Sequence, residues 1–522
     1  MEKRQITVSI TAEYLKDLLG DILRVSRQAD LIEVRLDYLK DRNVEVNGEE
    51  ILRTTFAVTD KPLIYTFRSG KKEITPNQSI QEINSLINSR SAELAKDYFD
   101  FELSSDNTVV IQLYNIYQRV FNNSPKIILS YHNFESCQLE NLLNIYSCMT
   151  KQQADVIKIA AQASQVTDQL AIFSLLKKAK EDNQPLIALA MGEAGRISRV
   201  LAPSKGSFTT FTALKKGSES APGQFTLSEM SSLYRPKSIN EETKIYALLG
   251  CPVSHSVSPH IHNMALNTLG QMAVYLPINV PTNELDLFME KFICLNSKEM
   301  NWQFMGASVT VPHKINIQKF LDEIDPIAKE IGAVNTIVVK EGRLIGYNTD
   351  VIGAIAPLLK IMNLNKAKVA VLGTGGAARA VVAGLKHQGA EIIVYGRNQE
   401  VLKHFASVFD IEIKPFSESD KVSCDLLINT TPIGMFDWPS DINMPIMEEA
   451  LKNCARVYDL VYNPIATPLL DTAHKLGIPI ISGLEMLIAQ AAEQLKLWTQ
   501  LEPPVDLMRS AAYKALSQKQ NN

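Results

Sequence analysis

Val371-Leu372-Gly373-Thr374-Gly375-Gly376-Ala377-Ala378-Arg379-Ala380 is a glycine-rich turn set between two patterned runs. An apolar strand pattern, Lys368 to Leu372, precedes it, and a helical pattern, Ala377 to His387, follows. In that context glycines let the backbone approach a pyrophosphate while the helix N-terminus faces the negative charge. Gly373, Thr374, Gly375, Gly376 and Ala377 are therefore candidate dinucleotide contacts. Upstream stand Val309-Thr310-Val311-Pro312-His313-Lys314 and Gly346-Tyr347-Asn348-Thr349-Asp350. Beside a nicotinamide, a lysine poised by an aspartate can protonate the alkoxide formed when a ketone is reduced. Read alone, both are equally solvated loop charges. The fingerprint begins deep in the chain, so a second enzyme has room before it.

Further along, the strand Glu391-Ile392-Ile393-Val394-Tyr395 ends in Gly396-Arg397-Asn398. No acid stands where NAD-specific folds place one for the ribose 2′-hydroxyl. Arg397 can pair with a 2′-phosphate, with Asn398 beside it, and Arg379 is a possible second partner. NADP is the expected cofactor.

At 522 residues the chain holds two to four domains with full cores. Apolar and charged fractions of 46% and 21% suit a globular protein, and a net charge of −4 gives no argument for nucleic acid. No apolar run approaches the roughly 18 residues of a membrane helix. Met1-Glu2-Lys3-Arg4 runs straight into Gln5–Ile10, which leaves no room for a signal peptide. Six scattered cysteines, none at Cys-x-x-Cys spacing, read as thiols of a reducing cytoplasm.

Eight strand-like runs alternate with helical patterns through the first part: Gln5–Ile10, Leu31–Leu36, Leu63–Phe67, Tyr98–Leu103, Ile127–Tyr131, Val156–Ile159, Leu186–Ala190 and Phe208–Phe211. This predicts a (β/α)8 barrel, whose site lies at the C-terminal strand ends. Those ends are polar. Glu33, Arg35 and Asp37 alternate and share one strand face. Arg68, Glu102 and His132 close the third, fourth and fifth runs. Lys158 faces away from Ile157 and Ile159, and burial there would lower its pKa toward the free amine that Schiff-base formation requires. On spacing alone it is equally a charge that escapes to solvent.

Glu33-Val34-Arg35-Leu36-Asp37, Tyr65-Thr66-Phe67-Arg68-Ser69, Ser130-Tyr131-His132-Asn133-Phe134, Val156-Ile157-Lys158-Ile159, Gly195-Arg196-Ile197-Ser198-Arg199 and Ser220-Ala221-Pro222-Gly223-Gln224 together resemble type I 3-dehydroquinate dehydratase. The resemblance implies a Schiff base on Lys158 and His132 as the group that removes the C2 proton. It implies Arg199 on the carboxylate, with Glu33, Arg35, Arg68, Ser220, Gln224 and Ser9 around the ring oxygens. The family's Glu-Gly-Gly stretch, whose glutamate orients the histidine, is replaced by Ser69-Gly70-Lys71-Lys72-Glu73-Ile74, leaving Glu73 as a substitute after a gap.

Past a polar linker, Gly250-Cys251-Pro252-Val253-Ser254-His255-Ser256-Val257-Ser258-Pro259-His260-Ile261-His262-Asn263 follows an apolar strand. On an extended backbone Ser256 and Ser258 would present two hydroxyls to a carboxylate. A Ser/Pro turn is the plainer alternative. Three histidines here lack a carboxylate or cysteine at ligand spacing, so no metal is expected. With Gly332-Ala333-Val334-Asn335-Thr336, Asn429-Thr430-Thr431-Pro432-Ile433-Gly434-Met435, Asp459-Leu460-Val461-Tyr462-Asn463-Pro464 and Gly483-Leu484-Glu485-Met486-Leu487-Ile488-Ala489-Gln490, this half resembles shikimate dehydrogenase. The resemblance implies Ser256 and Ser258 on the substrate carboxylate, Thr310, Asn335, Asp350 and Gln490 on ring hydroxyls with Tyr462 nearby, and Lys314 as acid/base. Leu460 and Gly483 join the nucleotide contacts. Ser308 stands where the family commonly has Asn.

The resulting expectation is an α/β chain with a barrel over 1–232, a linker over 233–243, and a substrate domain over 244–350. An NADP-binding Rossmann-like domain over 351–482 and returning helices over 483–522 complete it. It would turn 3-dehydroquinate into 3-dehydroshikimate and then shikimate. A second half that prefers quinate is the open alternative. A catalytically dead scaffold is disfavoured by the presence of Lys158, His132, Lys314 and Asp350.

Overall fold

The computed structural model describes the chain apart from residues 1–3, 41–43, 69–80, 82–83, 86–93, 104–105, 295, 437–442 and 521–522. It divides into two compact units: Met1–Thr243 with Ile278–Ile293 and Ser297–Gln303, and Lys244–Pro277 with Cys294–Asn296 and Phe304–Asn522.

In the first unit eight strands alternate with helices: β1 Gln5–Ile10, β2 Leu31–Arg35, β3 Leu63–Thr66, β4 Leu94–Glu102, β5 Ser124–Asn133, β6 Val156–Gln162, β7 Leu186–Met191 and β8 Thr209–Ala213. They form one parallel sheet in the order β7-β6-β5-β4-β3-β2-β1-β8. A parallel bridge between Leu186 and Ser207 brings its two ends together. β4 starts earlier than its apolar run because the polar Asp97 is satisfied there, accepting from Leu63 N (2.9 Å) and the Tyr117 hydroxyl (2.9 Å).

Alternation along the strands explains how this barrel carries a site. Leu31, Ile64, Tyr98, Ile128, Val156, Ile187 and Phe211 form one buried apolar cluster. Two residues further along their strands, on the same face, stand Glu33, Thr66, Asp100, Ser130 and Lys158. Another step of two reaches Arg35, Arg68, Glu102 and His132. Each strand thus passes from an apolar floor to a polar layer as it approaches the C-terminal end.

The second unit carries two sheets. The first comprises β9 Lys244–Gly250, β10 Ala273–Asn279, β11 Gln303–Val309, β12 Glu323–Ile324, β13 Thr336–Lys340 and β14 Arg343–Tyr347, in the order β10-β9-β11-β13-β14-β12. The second comprises β15 Lys368–Leu372, β16 Glu391–Gly396, β17 Glu412–Pro415, β18 Leu426–Asn429, β19 Val457–Asp459 and β20 Ile480–Ser482. All its pairings are parallel, in the order β17-β16-β15-β18-β19-β20. This is the doubly wound 3-2-1-4-5-6 arrangement, with its crevice where the order reverses at β15. The helix Gly483–Thr499 returns against the helix Asp350–Leu359. A Cβ on Gly353 would meet Gln490 Cβ at 2.7 Å, so glycine is what lets these helices touch.

Candidate active sites

In the barrel Lys158 is 5% exposed and lies between two carboxylates, 3.3 Å from Glu33 Oε1 and 3.1 Å from Asp100 Oδ2, with its Nζ 4.2 Å from the Phe211 ring centroid. The isoleucines beside it in sequence point away, and its own face is ion-paired. Burial pushes Glu33 upward, but Lys158 and Arg35 outweigh it and hold the carboxyl below its ordinary range. At Asp100 burial is likewise outweighed, here by Arg68 and Lys158. Ser9 donates to Glu33 Oε2 (2.5 Å) and Thr66 to Oε1 (3.0 Å).

His132 stands on β5, beside Lys158 on β6. Its Nδ1 lies 2.8 Å from Glu102 Oε2, and its backbone N donates to Oε1 at 3.1 Å. Glu102 is held ionised against burial by Arg68 and His132. Arg68 reaches both Asp100 (2.7 Å) and Glu102 (2.8 Å). Arg35 turns to Asp37 through two bonds of 3.0 and 2.8 Å. Both arginines therefore organise the acids in the resting site. Glu73, the sequence's candidate to orient His132, lies outside the described residues; Glu102 makes that contact.

Arg199, on the short helix Arg196–Leu201, is 1% exposed. Its Nη2 donates to Pro222 O (2.8 Å), while Nε and Nη1 have no partner among the described residues. Burial, then the charge of Arg196, pushes it down to about 9. A guanidinium buried with two open donors is poised for an anion. In the same loop Ser220 N donates to Gln224 Oε1 (2.9 Å). Gly223 (φ +76°) is required there, since a Cβ would fall 2.3 Å from Gly192 O.

In the second unit Lys314 Nζ bonds Asp350 Oδ2 at 2.5 Å, and Asp350 Oδ1 accepts from Asn335 Nδ2 at 2.8 Å. Asp350 opens the helix Asp350–Leu359, where an anion is favoured. Thr310 follows β11 and donates its backbone N–H to Leu249 O (2.8 Å). Gln490 is buried on the helix Gly483–Thr499 with its amide on Leu487 O (3.0 Å). Tyr462 is half-buried, and burial raises its hydroxyl's pKa. Of the two readings open for Ser256–Ser258, the Ser/Pro turn holds and the extended segment does not. Ser258 begins the helix Ser258–Thr268, with Pro259 in its first turn, and Ser256 Oγ accepts from Ser258 N (3.1 Å). The three histidines do not converge either. His262 is buried, stacks on Tyr275 at 4.4 Å, and is pushed by burial down to about 3. Among the described residues no group of His, Cys, Asp or Glu is placed to hold a metal.

At the C-terminal edge of the Rossmann-like sheet, Gly373 (φ +110°) lies so close to β18 that a Cβ would meet Thr430 Oγ1 at 2.6 Å. Gly375 and Gly376, exposed at the start of the helix Gly376–His387, have nothing within 4 Å of an added Cβ. That open cradle of backbone at a helix N-terminus fits a pyrophosphate. Thr374 packs on Gly396, beside the exposed Arg397. Asn398 Oδ1 caps the next helix, accepting from Glu400 N and Val401 N, so only its amide nitrogen is open. Arg379, the suggested second phosphate partner, donates to Ile331 O (3.2 Å). Leu460 follows β19, and a Cβ on Gly483 would come within 2.3 Å of its carbonyl.

Asp459, at the end of β19, is fully buried and accepts from Thr467 (2.6 Å), Asn429 (2.9 Å) and Val461 N (3.1 Å). Burial still raises it from 3.8 to about 6. A carboxyl raised in the folded state costs nothing below its unfolded pKa. Its stability is then lost as pH rises through the folded value, by about 2–3 kcal/mol at neutrality. Measured against Asp459→Asn, wild-type urea resistance should fall between about pH 4 and pH 6. A wild-type-to-mutant difference that stays constant over that range would rule this out.

Family comparisons now bear on both sites. The type I 3-dehydroquinase model matches residues 6–241, and the shikimate dehydrogenase substrate binding domain matches 248–337. The shikimate 5'-dehydrogenase C-terminal domain matches 483–513, and an NADP oxidoreductase, coenzyme F420-dependent, matches 368–437. The bifunctional 3-dehydroquinate dehydratase/shikimate dehydrogenase, chloroplastic, of Arabidopsis thaliana is 33% identical over 92% of this chain and 79% of its own length. The chain belongs to this bifunctional dehydratase–dehydrogenase family. The shikimate biosynthesis protein AroDE of Chlamydia pneumoniae is 32% identical over 91% of each chain. The shikimate dehydrogenase (NADP(+)) of Methanocaldococcus jannaschii is 40% identical over 52% of this chain and 97% of its own. The chain is a shikimate-pathway enzyme with 3-dehydroquinate dehydratase and NADP shikimate dehydrogenase activities. Among the described residues no helix is long and apolar enough to cross a membrane.

Asp100 was missed in the sequence, although it sits two residues before Glu102 on one strand face. The alternation that singled out Glu33 and Arg35 would have found it.

Proposed function

We propose that the barrel dehydrates 3-dehydroquinate through a Schiff base on Lys158, and that the second half reduces 3-dehydroshikimate to shikimate with NADPH. The observation that carries the reading is the buried Lys158, flanked by Glu33 and Asp100, with a carboxylate-oriented His132 on the neighbouring strand. One of the two acids accepts the ammonium proton, and the free amine adds to the ketone. Water leaves, and the iminium acidifies the adjacent C–H. His132, its Nδ1 on Glu102, takes that proton at Nε2, and the electron pair forms the enamine. The enamine expels the hydroxyl, which leaves as water with the proton His132 returns. Hydrolysis then frees Lys158. Arg199 clamps the carboxylate through its open donors. Ser9, Glu33, Arg35, Arg68, Ser220 and Gln224 meet the ring oxygens by exchanging present partners.

In the second half Lys314 protonates the alkoxide and Asp350 holds it. Ser256 and Ser258 bind the carboxylate; Thr310, Asn335, Gln490 and Tyr462 meet the ring hydroxyls. The glycine turn Gly373–Ala377 would cradle the NADP pyrophosphate, Arg397 and Asn398 the 2′-phosphate, with Leu460 and Gly483 nearby. The bound cofactor supplies the hydride. We assign 1–232 to the dehydratase, 233–243 to the linker, 244–350 and 483–522 to the substrate domain and 351–482 to NADP. The six scattered cysteines, with no Cys-x-x-Cys spacing, favour a reducing cytoplasm as its compartment.

The full chain given 3-dehydroquinate and NADPH should oxidise one NADPH per substrate molecule and accumulate shikimate. Its kcat/KM should favour NADPH over NADH, and Arg397→Ala should lose most of that ratio through weaker NADPH binding. A wild type indifferent to the two cofactors would refute the part given to Arg397. Faster oxidation of quinate than of shikimate would reassign the substrate.

A further inference from the structure

A continuous buried line of hydrogen bonds runs behind the reduction site. The Tyr275 hydroxyl donates to Ser308 Oγ (2.8 Å), and Ser308 donates to Gln494 Oε1 (2.7 Å). Gln494 Nε2 donates to Thr336 Oγ1 (3.0 Å), and Thr336 donates to Asn335 Oδ1 (2.8 Å). Asn335 Nδ2 then donates to Asp350 Oδ1 (2.8 Å), whose other oxygen holds Lys314. Tyr275, Ser308, Gln494, Thr336 and Asn335 are all buried.

A hydroxyl has one proton to give, so the direction of each link dictates the next. Ser308 receives from Tyr275 and can only give to Gln494. Gln494 must therefore turn its oxygen to Ser308 and its nitrogen to Thr336. The Thr336 proton goes to Asn335 Oδ1, which leaves Asn335 Nδ2 for Asp350. Thr349 N, donating to the same Asn335 oxygen at 2.8 Å, favours the same orientation. A flipped Asn335 would set its oxygen against the Asp350 carboxylate.

We infer that Tyr275 and Ser308 are positioning residues for the reduction, aligning the Asn335 amide so that it holds Asp350 and thus Lys314. The inference rests on the proposed acid/base part of Lys314. It also gives Ser308 a different task from a substrate contact, because its hydroxyl is committed on both sides.

Ser308→Ala breaks the line while removing one oxygen. Tyr275→Phe breaks it one link earlier and keeps the ring stacked on His262. Ser308→Ala should lower kcat for 3-dehydroshikimate about five- to tenfold, the worth of about one buried hydrogen bond, with KM for both substrates within about twofold. Tyr275→Phe should lower kcat similarly, again with little change in KM. The double variant should have no lower kcat than Ser308→Ala, because both break one line. Additive losses in the double variant, or wild-type kcat in Ser308→Ala, would overturn the inference. Lys314→Ala, assayed alongside, separates the failures. A kcat loss there without one in Ser308→Ala rejects the positioning line alone; no loss in either rejects the acid/base reading as well.

Discussion

Lys158→Ala should abolish dehydration, lowering kcat by about 10⁴–10⁶, while reduction of 3-dehydroshikimate stays near the wild-type rate. Losing the nucleophile removes the covalent route altogether, whereas loss of an orienting contact only degrades it. The alanine variant carries a second cost. Glu33 and Asp100, both buried, would lose the ammonium between them, and breaking such a pair costs about 3–5 kcal/mol. Loss of activity in Lys158→Ala alone could thus report unfolding. Lys158→Arg separates the two effects: it keeps a cation between the carboxylates and cannot form a Schiff base. It should fold, retain reductase turnover and be equally dead as a dehydratase. Borohydride added with 3-dehydroquinate should fix a reduced adduct on one tryptic peptide of the wild type, the one containing Lys158. An adduct on another lysine, or dehydratase activity in Lys158→Arg, would sink the assignment.

The barrel was legible because period-two alternation carries both its apolar floor and its polar upper layers. The same pattern runs Leu31-Glu33-Arg35 and Ile128-Ser130-His132 along their strands. What the pattern cannot supply is which strands face one another across the barrel. Lys158 on β6 meets Glu33 on β2, 125 residues earlier, and Asp100 on β4, 58 residues earlier. Local sequence around Lys158 shows only isoleucines on the opposite face, so its partners Glu33 and Asp100 left no sign beside it. The Ser256–Ser258 segment shows the converse. Proline in the first turn of a helix was written in Ser258-Pro259, and the Ser/Pro turn was the plainer reading of that stretch. At the glycine turn, strand–turn–helix context was sufficient. The bond from Arg379 to Ile331 depends on the end of a helix 48 residues upstream and left no local sign.

Lys314→Ala should lower kcat for 3-dehydroshikimate by about 10²–10⁴ with a much smaller change in KM. In the ground state the substrate ketone bears little charge, so a proton donor adds little to binding. As hydride arrives the oxygen becomes an alkoxide, and the ammonium beside it is worth most at that moment. The structure sets the lysine for this: Asp350 pairs with it, and Asp350 is itself held by Asn335 at the head of a helix. Asp350→Asn should therefore lower kcat too, because the lysine loses the anion that positions it. It should also raise KM if Asp350 meets a ring hydroxyl, as the family resemblance implies. Lys314→Arg tests the chemistry rather than the charge. Guanidinium keeps the cation near Asp350 but holds its proton too tightly to deliver it. Its kcat should stay near that of Lys314→Ala, and dehydratase turnover in the same samples reports that the chain is folded. A Lys314→Arg enzyme at wild-type kcat would show that the charge suffices and that the alkoxide takes its proton elsewhere.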